Sequence, residues 1–283
     1  MLVNMKDMLL RAKEGKYAIP QFNINNLEWT RFILEGCEEN KSPVILGVSE
    51  GAAKYFGGYK TVVNVVEGLI NDLNITIPVA IHLDHGSSVE ACKKAIDAGF
   101  TSVMIDASKY PISENVGITN EVVELALLKD VTIEAEVGCV GGSEDGVASE
   151  EKYATFEDAK EIVENTKITC LAPALGSVHG LYKGLPNLNF ERMEEISTKL
   201  NIPLVLHGGT GIPDDQIAKS IACGICKINI NTELQVEWTK GVREFLENNK
   251  EVYDPRKVIK SGEENMKKVI TDKVKLFGSY NKA

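Results

Sequence analysis

The stretch Ile77-Pro78-Val79-Ala80-Ile81-His82-Leu83-Asp84-His85-Gly86 reads as a buried β-strand whose polarity changes abruptly near its C-terminal end. Apolar residues run up to His82, and then two histidines and an aspartate fall within four positions. A core strand has no use for that grouping; a site does. The chain holds four histidines, His82, His85, His179 and His207, and each ends or follows a short apolar run. Groups so placed belong on the rim of an α/β barrel, where the C-terminal strand ends meet around one cavity.

Working outward, the same unit recurs. Strands are predicted at residues 17–22, 43–48, 78–82, 102–105, 131–137, 168–171, 203–206 and 225–230. Helices are predicted between them and after the last. Short strands alternating with amphipathic helices call for parallel pairing, and eight such units call for closure. The fold class is therefore α/β, a (β/α)8 TIM barrel in one domain over residues 1–283. An open doubly wound sheet would need a glycine fingerprint after its first strand, and Gln21-Phe22-Asn23-Ile24-Asn25 has none. Residues 4–14 are predicted to form a capping helix with Asn4 as N-cap and Met5, Met8 and Leu9 facing the barrel's bottom. Ser87 with Glu90 fits a capping box for the third helix. Residues 49–58, 138–153 and 172–188 read as loops, and residues 255–277 as a C-terminal helical extension.

Composition narrows the class. Of 283 residues 43% are hydrophobic, enough for one large core. A net charge of -10 disfavours nucleic acid and anionic membrane as partners. Cys37, Cys92, Cys139, Cys170, Cys223 and Cys226 lie scattered through apolar segments, which is cytosolic usage and not a disulfide framework. The Cys223–Cys226 spacing reads as structural, since it runs into a strand. No apolar run approaches a membrane span and no secretory signal opens the chain, so a cytoplasmic protein is expected.

The chemistry-bearing residues collect at the strand ends. His85, His179 and His207 supply three imidazoles, which suit Zn²⁺ and leave its fourth position open. His82, inside the strand, reads as a supporting residue. Asp84 lies where it could exchange protons with a substrate. Glu134 and Glu136 share a face of the fifth strand, Glu136 nearer the mouth. Glu144 and Asp145, flanked by glycines, read equally as solvated loop carboxylates or as a base delivered by a closing lid. Gly208-Gly209-Thr210-Gly211 and Asn229-Ile230-Asn231-Thr232 stand where barrels often bind phosphate, with Gly180 and Lys183 able to add donors. Lys227 is a Schiff-base candidate without an evident acid–base partner.

Together these segments resemble the class II, zinc-dependent fructose-1,6-bisphosphate aldolases and the related tagatose-bisphosphate aldolases. Gln21-Phe22-Asn23, His82-Leu83-Asp84-His85-Gly86, Glu134-Ala135-Glu136, Gly142-Ser143-Glu144-Asp145-Gly146, Ser177-Val178-His179-Gly180, His207-Gly208-Gly209-Thr210-Gly211 and Asn229-Ile230-Asn231-Thr232 match in order. The resemblance implies reversible cleavage of D-fructose 1,6-bisphosphate to dihydroxyacetone phosphate and glyceraldehyde 3-phosphate, in glycolysis and gluconeogenesis. It implies zinc on His85, His179 and His207, with Asp106 and Glu136 near alternative metal positions. Asp84 would exchange the C4 hydroxyl proton, and Glu144 the proton on the hydroxymethyl carbon of dihydroxyacetone phosphate. Asn23, Ser49, Gly180, Lys183, Gly208, Gly209, Thr210, Asn229, Asn231 and Thr232 would bind substrate or its phosphate. A monovalent cation, Na⁺ or K⁺, would sit on carbonyls of Val178, Gly180 and Gly208. The family forms homodimers or homotetramers, and Arg256 and Lys260 are candidates to reach a neighbour's second phosphate. Tagatose 1,6-bisphosphate, a zinc hydrolase barrel and a catalytically silent sugar-phosphate-binding barrel are the competing readings.

Overall fold

Each barrel strand sorts its residues by parity, one set facing the interior and the other the surrounding helices. In the computed structural model Ile81 and Leu83 join the core beneath the helices, while Ala80 packs into a second core at the barrel's end. The structure describes residues 1–283 except Asp145, Gly146, Glu150, Glu151, Leu181, Lys183 and Leu185, and of Ser143, Glu144, Val147, Ala148 and Ser149 it describes the backbone alone.

The chain opens with α1 (Lys6–Gly15), β1 (Ile19–Asn23), α2 (Leu27–Glu39), β2 (Val44–Val48), α3 (Glu50–Phe56), α4 (Tyr59–Asp72) and β3 (Val79–Gly86). It continues through α5 (Val89–Ala98), β4 (Ser102–Ile105), α6 (Ile112–Leu127), β5 (Thr132–Val137), β6 (Gly141–Glu144), β7 (Val147–Ser149), α7 (Phe156–Asn165), β8 (Cys170–Pro173) and β9 (Val178–His179). It ends with α8 (Phe190–Lys199), β10 (Leu204–Leu206), α9 (Asp214–Ala222), β11 (Ile225–Ile230), α10 (Thr232–Asn248), α11 (Pro255–Lys260) and α12 (Glu263–Leu276). The strands β1-β11-β10-β8-β5-β4-β3-β2 close into a parallel barrel, as expected. Closure occurs at β1, where Gln21 pairs with Asn229 on one side and Ile45 on the other.

Helix α1 seals the bottom. Met5, Leu9 and Ala12 are fully buried against Ile19, Ile45, Ala80 and Val205, all from strands. Its start differs from expectation. Met5 is the N-cap residue, and no side chain caps it. The Asn4 side chain instead accepts from Lys6 N–H at 3.1 Å and donates to the Asp130 carbonyl at 3.0 Å, tying the helix to the approach to β5.

Three loops expected from sequence carry structure. Residues 50–56 form α3, because the Ser49 hydroxyl caps it through the Ala52 N–H at 3.1 Å. Ser88, not Ser87, caps α5 through Ala91 N–H, and the Ser87 N–H donates to Glu50 Oε1 at 2.8 Å. Beyond β5 the chain folds into the antiparallel pair β6–β7, and β9 adds to β6 in parallel with Gly142 opposite His179. The C-terminal extension is two helices, α11 and α12. Met266, Ile270 and Val274 of α12 are fully buried, and the helix packs against α2 and α10. Among the described residues no helix is long and apolar enough to cross a membrane. Cys223 and Cys226 are unbridged thiols.

Candidate metal and substrate site

Adjacent strand residues ordinarily face opposite sides, yet Asp84 and His85 both reach the barrel mouth. The backbone shows why. His85 has φ 52°, in the left-handed region, and the pairing of β3 with β4 slips between Leu83 and Gly86. Such a bulge re-aims a side chain, and a non-glycine residue there is strained, a condition that collects at functional sites. Gly86 follows because a Cβ there would stand 2.5 Å from the Met104 carbonyl oxygen.

The structure brings His85, His179 and His207 together from β3, β9 and the end of β10. One ligand nitrogen from each lies within 4.8 Å of the others. Ring centroids are 4.6 Å apart for His85 and His207, and 5.0 Å for His85 and His179. His207 Nε2 donates to Glu134 Oε1 at 2.9 Å, which leaves the Nδ1 lone pair for a metal. That Nδ1 faces His85 Nε2 at 2.9 Å, while His85 Nδ1 faces Asp106 Oδ2 at 3.4 Å. Burial holds His207 and His179 below the usual imidazole range, so both are neutral and keep a ring lone pair to offer a metal. The donor set fits a metal ion. Two nitrogens on one tetrahedral zinc lie roughly 3.3 Å apart by the usual bond lengths, close to the spacing seen between His85 and His207.

A second possible ligand set, His85, Asp106 and Glu136, shares His85 with the first. Glu136 Oε1 accepts from Val140 N–H at 3.1 Å, and Oε2 is buried with no hydrogen-bond partner among the described residues. Burial, reinforced by the Asp106 carboxylate, pushes Glu136 up to about 8. Burial also opposes the ionisation of Asp106, but hydrogen bonds and charge from His85 and Ser108 outweigh it and hold that carboxyl well down.

Asp84 is 1% exposed and held from both sides. Asn23 Nδ2 donates to its Oδ2 at 2.9 Å, and Asn229 Nδ2 to its Oδ1 at 3.4 Å. Burial works against its charge, but His85 and Lys227 outweigh that and keep it well below the usual carboxylate range. A cavity of roughly 450 Å³ opens beside it, lined by Asp84, His85, Asp106, Glu136 and His179, with Ser49, Ser108 and Lys109 further out.

On the other side lie the turns after β10 and β11. Gly208 has φ 63°, and a Cβ there would stand 2.1 Å from the Val178 carbonyl oxygen. The Tyr182 hydroxyl accepts from Val178 N–H and donates to the Gly208 carbonyl, both at 3.0 Å, so it ties the turn carrying Gly180 to Gly208. Gly209 N–H donates to the Asn229 carbonyl at 3.1 Å, and Thr210 Oγ1 accepts from Glu233 N–H at 3.4 Å in the first turn of α10, which Asn231 and Thr232 open. Lys183 and the Glu144 side chain lie outside the described residues. Arg256 is on α11, 89% exposed and forked onto Asp254, and neither it nor Lys260 lines the cavity of its own chain.

The sequence offers Lys227 only as a Schiff-base candidate and marks no role for Lys109. Lys227 does have a partner: its Nζ donates to Glu134 Oε2 at 2.8 Å, and both groups are fully buried. His82 fits its supporting role, with Nδ1 2.8 Å from Ser102 Oγ and the ring wholly buried. The shared face of Glu134 and Glu136 was visible in their strand; the barrel register that brings Glu134 to Lys227 and His82 was not.

The family model described as "Fructose-bisphosphate aldolase class-II" matches residues 3–282. "Fructose-bisphosphate aldolase" of Geobacillus stearothermophilus is 61% identical over 283 residues, covering 100% of this chain and 99% of the relative. The protein of the same description from Staphylococcus aureus strain Mu50 is 59% identical with the same coverage. Among solved structures, the YdjI aldolase from Escherichia coli K12 superposes with a TM-score of 0.85 at 32% identity, covering all of both chains. A fructose-bisphosphate aldolase from Campylobacter jejuni superposes with a TM-score of 0.83 at 25% identity, over 100% of this chain and 97% of the other. A barrel closed at β1, three imidazoles at its mouth, a clamped aspartate beside them and matches spanning the whole chain lead to one statement: this chain belongs to the class II fructose-bisphosphate aldolases.

Proposed function

We propose that this chain cleaves D-fructose 1,6-bisphosphate reversibly to dihydroxyacetone phosphate and glyceraldehyde 3-phosphate, with Zn²⁺ on His85, His179 and His207. The observation that carries the reading is the meeting of those three imidazoles beside a buried aspartate held by two amides. A zinc ion on these ligands supplies Lewis-acid polarisation of the substrate ketone. The protein's own groups do the rest. Asp84 is in its base form throughout the neutral range and has its oxygens oriented by Asn23 and Asn229. It accepts the C4 hydroxyl proton, the C3–C4 bond breaks, and its electron pair stays with carbon three. Glyceraldehyde 3-phosphate leaves from the cavity side, toward Ser49 and Lys109. Glu144 then delivers a proton to carbon three.

The phosphate of the dihydroxyacetone half goes to the turns after β10 and β11, among Gly180, Lys183, Gly208, Gly209, Thr210, Asn229, Asn231 and Thr232. Glycines there let backbone N–H groups approach an anion, and the N-terminus of α10 adds its dipole. A monovalent cation on the carbonyls of Val178, Gly180 and Gly208 would offset the added negative charge. Asp106 and Glu136 offer a second metal position while substrate is absent. The chain acts as one domain and as a homo-oligomer in which Arg256 or Lys260 reaches a neighbour's second phosphate; light scattering tests the assembly.

The deciding experiment is a coupled cleavage assay on fructose 1,6-bisphosphate before chelation, after it, and after Zn²⁺ is returned. Activity should vanish and come back. Tagatose 1,6-bisphosphate in parallel measures preference for the C4 configuration. Zinc-loaded protein inactive on both sugars would overturn the reading.

A further inference from the structure

Lys227 is a buried charge to which the reaction above gives no task. It is fully enclosed, and its Nζ donates to Glu134 Oε2 at 2.8 Å. The other oxygen of that carboxylate accepts from His207 Nε2 at 2.9 Å. The far side of the His207 ring presents Nδ1 to His85 Nε2, also at 2.9 Å. A continuous chain of contacts thus runs from β11, through β5, to a donor at the mouth. A buried ion pair is poor value for stability, because desolvating both ions cancels much of their attraction. Its retention here calls for another reason.

Geometry supplies one. The same Oε2 has two further neighbours: the Cys170 thiol, a weak donor, at 3.6 Å, and His82 Nε2, also at 3.6 Å. Without Lys227, the carboxylate is free to rotate toward His82. Oε1 would then leave His207, and the ring would lose the contact that fixes which nitrogen carries its proton. With Lys227 gripping Oε2, Oε1 has one place to be. We propose that Lys227 is a positioning residue for the metal: by clamping Glu134 it holds the His207 ring in the tautomer and orientation that turn a bare Nδ1 toward His85 and His179. The inference rests on the metal reading of the three histidines and not on the identity of the sugar. It also removes Lys227 from Schiff-base chemistry, since the amine is committed to a carboxylate beneath the site.

The test is Lys227→Met, which keeps length and apolar bulk, read by three measurements on the whole protein. Zn²⁺ affinity by competition with a chromophoric chelator is expected to fall by about 10–100-fold, the usual cost of losing a partner behind a ligand. Nitrogen-15 imidazole spectra of the metal-free protein should show one His207 tautomer, protonated at Nε2, in wild type and a mixture in the variant. The melting midpoint of the metal-free protein reports any purely structural effect. Lys227→Met/Glu134→Gln, with no charge left stranded, covers the case in which the single variant does not fold, and should bind zinc at least about tenfold more weakly than wild type. Zn²⁺ affinity within twofold of wild type in either folded variant, or an unchanged His207 tautomer, would overturn the proposal. Wild type that binds zinc without cleaving either sugar would end the aldolase reading and leave Lys227 where it is.

Discussion

Asp84 has its orientation set by residues distant in sequence: Asn23 is 61 positions away and Asn229 145. Removing the carboxylate with Asp84→Ala should lower kcat by about 10²–10⁴-fold, the usual worth of a positioned proton acceptor, and change KM far less. Steady-state cleavage kinetics check this, and an unchanged kcat would take Asp84 out of the mechanism. Glu144→Ala should likewise depress kcat more than it raises KM, and should slow exchange of the dihydroxyacetone phosphate hydroxymethyl proton with solvent. Normal exchange would exclude Glu144 as the proton donor. The histidines and Asp84 were legible in sequence because His82-Leu83-Asp84-His85 breaks an apolar run. The left-handed backbone at His85 was not, because it follows from the slipped pairing of β3 with β4, which no local pattern encodes.

At the scale of elements, sequence reading worked where hydrophobic period was strong and failed where glycine masked it. The apolar face of α1 was plain, and Leu9 is fully buried in the core it seals. Leu9→Ala should therefore cost about 2–5 kcal/mol of stability through the cavity left behind, with activity of the folded protein intact; urea unfolding measures it. The sequence predicts a loop at α3 because Gly51 falls in its first turn and Gly57 and Gly58 follow it, yet Ser49 caps its start and Gly57, at φ 97°, ends it. Another element junction sets a pH dependence. Glu38, at the end of α2, accepts from Thr76 N–H at 2.8 Å, Thr76 Oγ1 at 2.7 Å and Ile77 N–H at 3.1 Å, and pairs with Lys41. Partial burial opposes its charge, but these donors outweigh it and bring the carboxyl from 4.5 to about 2. A depressed carboxyl stabilises the fold above its unfolded value and loses that contribution as pH falls through its folded value. Acid should thus weaken the protein between about pH 4.5 and pH 2, and Glu38→Gln should flatten that part of the profile, as urea midpoints at stepped pH would show.

For the molecule as a whole, the three imidazoles come from β3, β9 and the end of β10, so a bound ion links segments spread over more than a hundred residues of chain. The unfolded chain offers no such preformed site, and metal binding therefore adds directly to folding stability. At free zinc a thousandfold above the dissociation constant the gain is about 4 kcal/mol. For a chain of this size each kcal/mol moves the melting midpoint by roughly 1.5–2 °C, so chelation should lower it by about 6–8 °C. The barrel itself should survive, since its hydrophobic cores include none of the three histidines. Far-ultraviolet circular dichroism of the chelated protein should keep its native shape at room temperature while cleavage of fructose 1,6-bisphosphate stops. His179→Ala should reproduce both effects with zinc present, because it removes one ligand of the cluster and leaves the Lys227–Glu134–His207 chain intact. A midpoint that ignores chelation would mean that the histidines hold no ion in the folded protein. The cleavage chemistry would then have to be sought without a metal, from an amine other than Lys227.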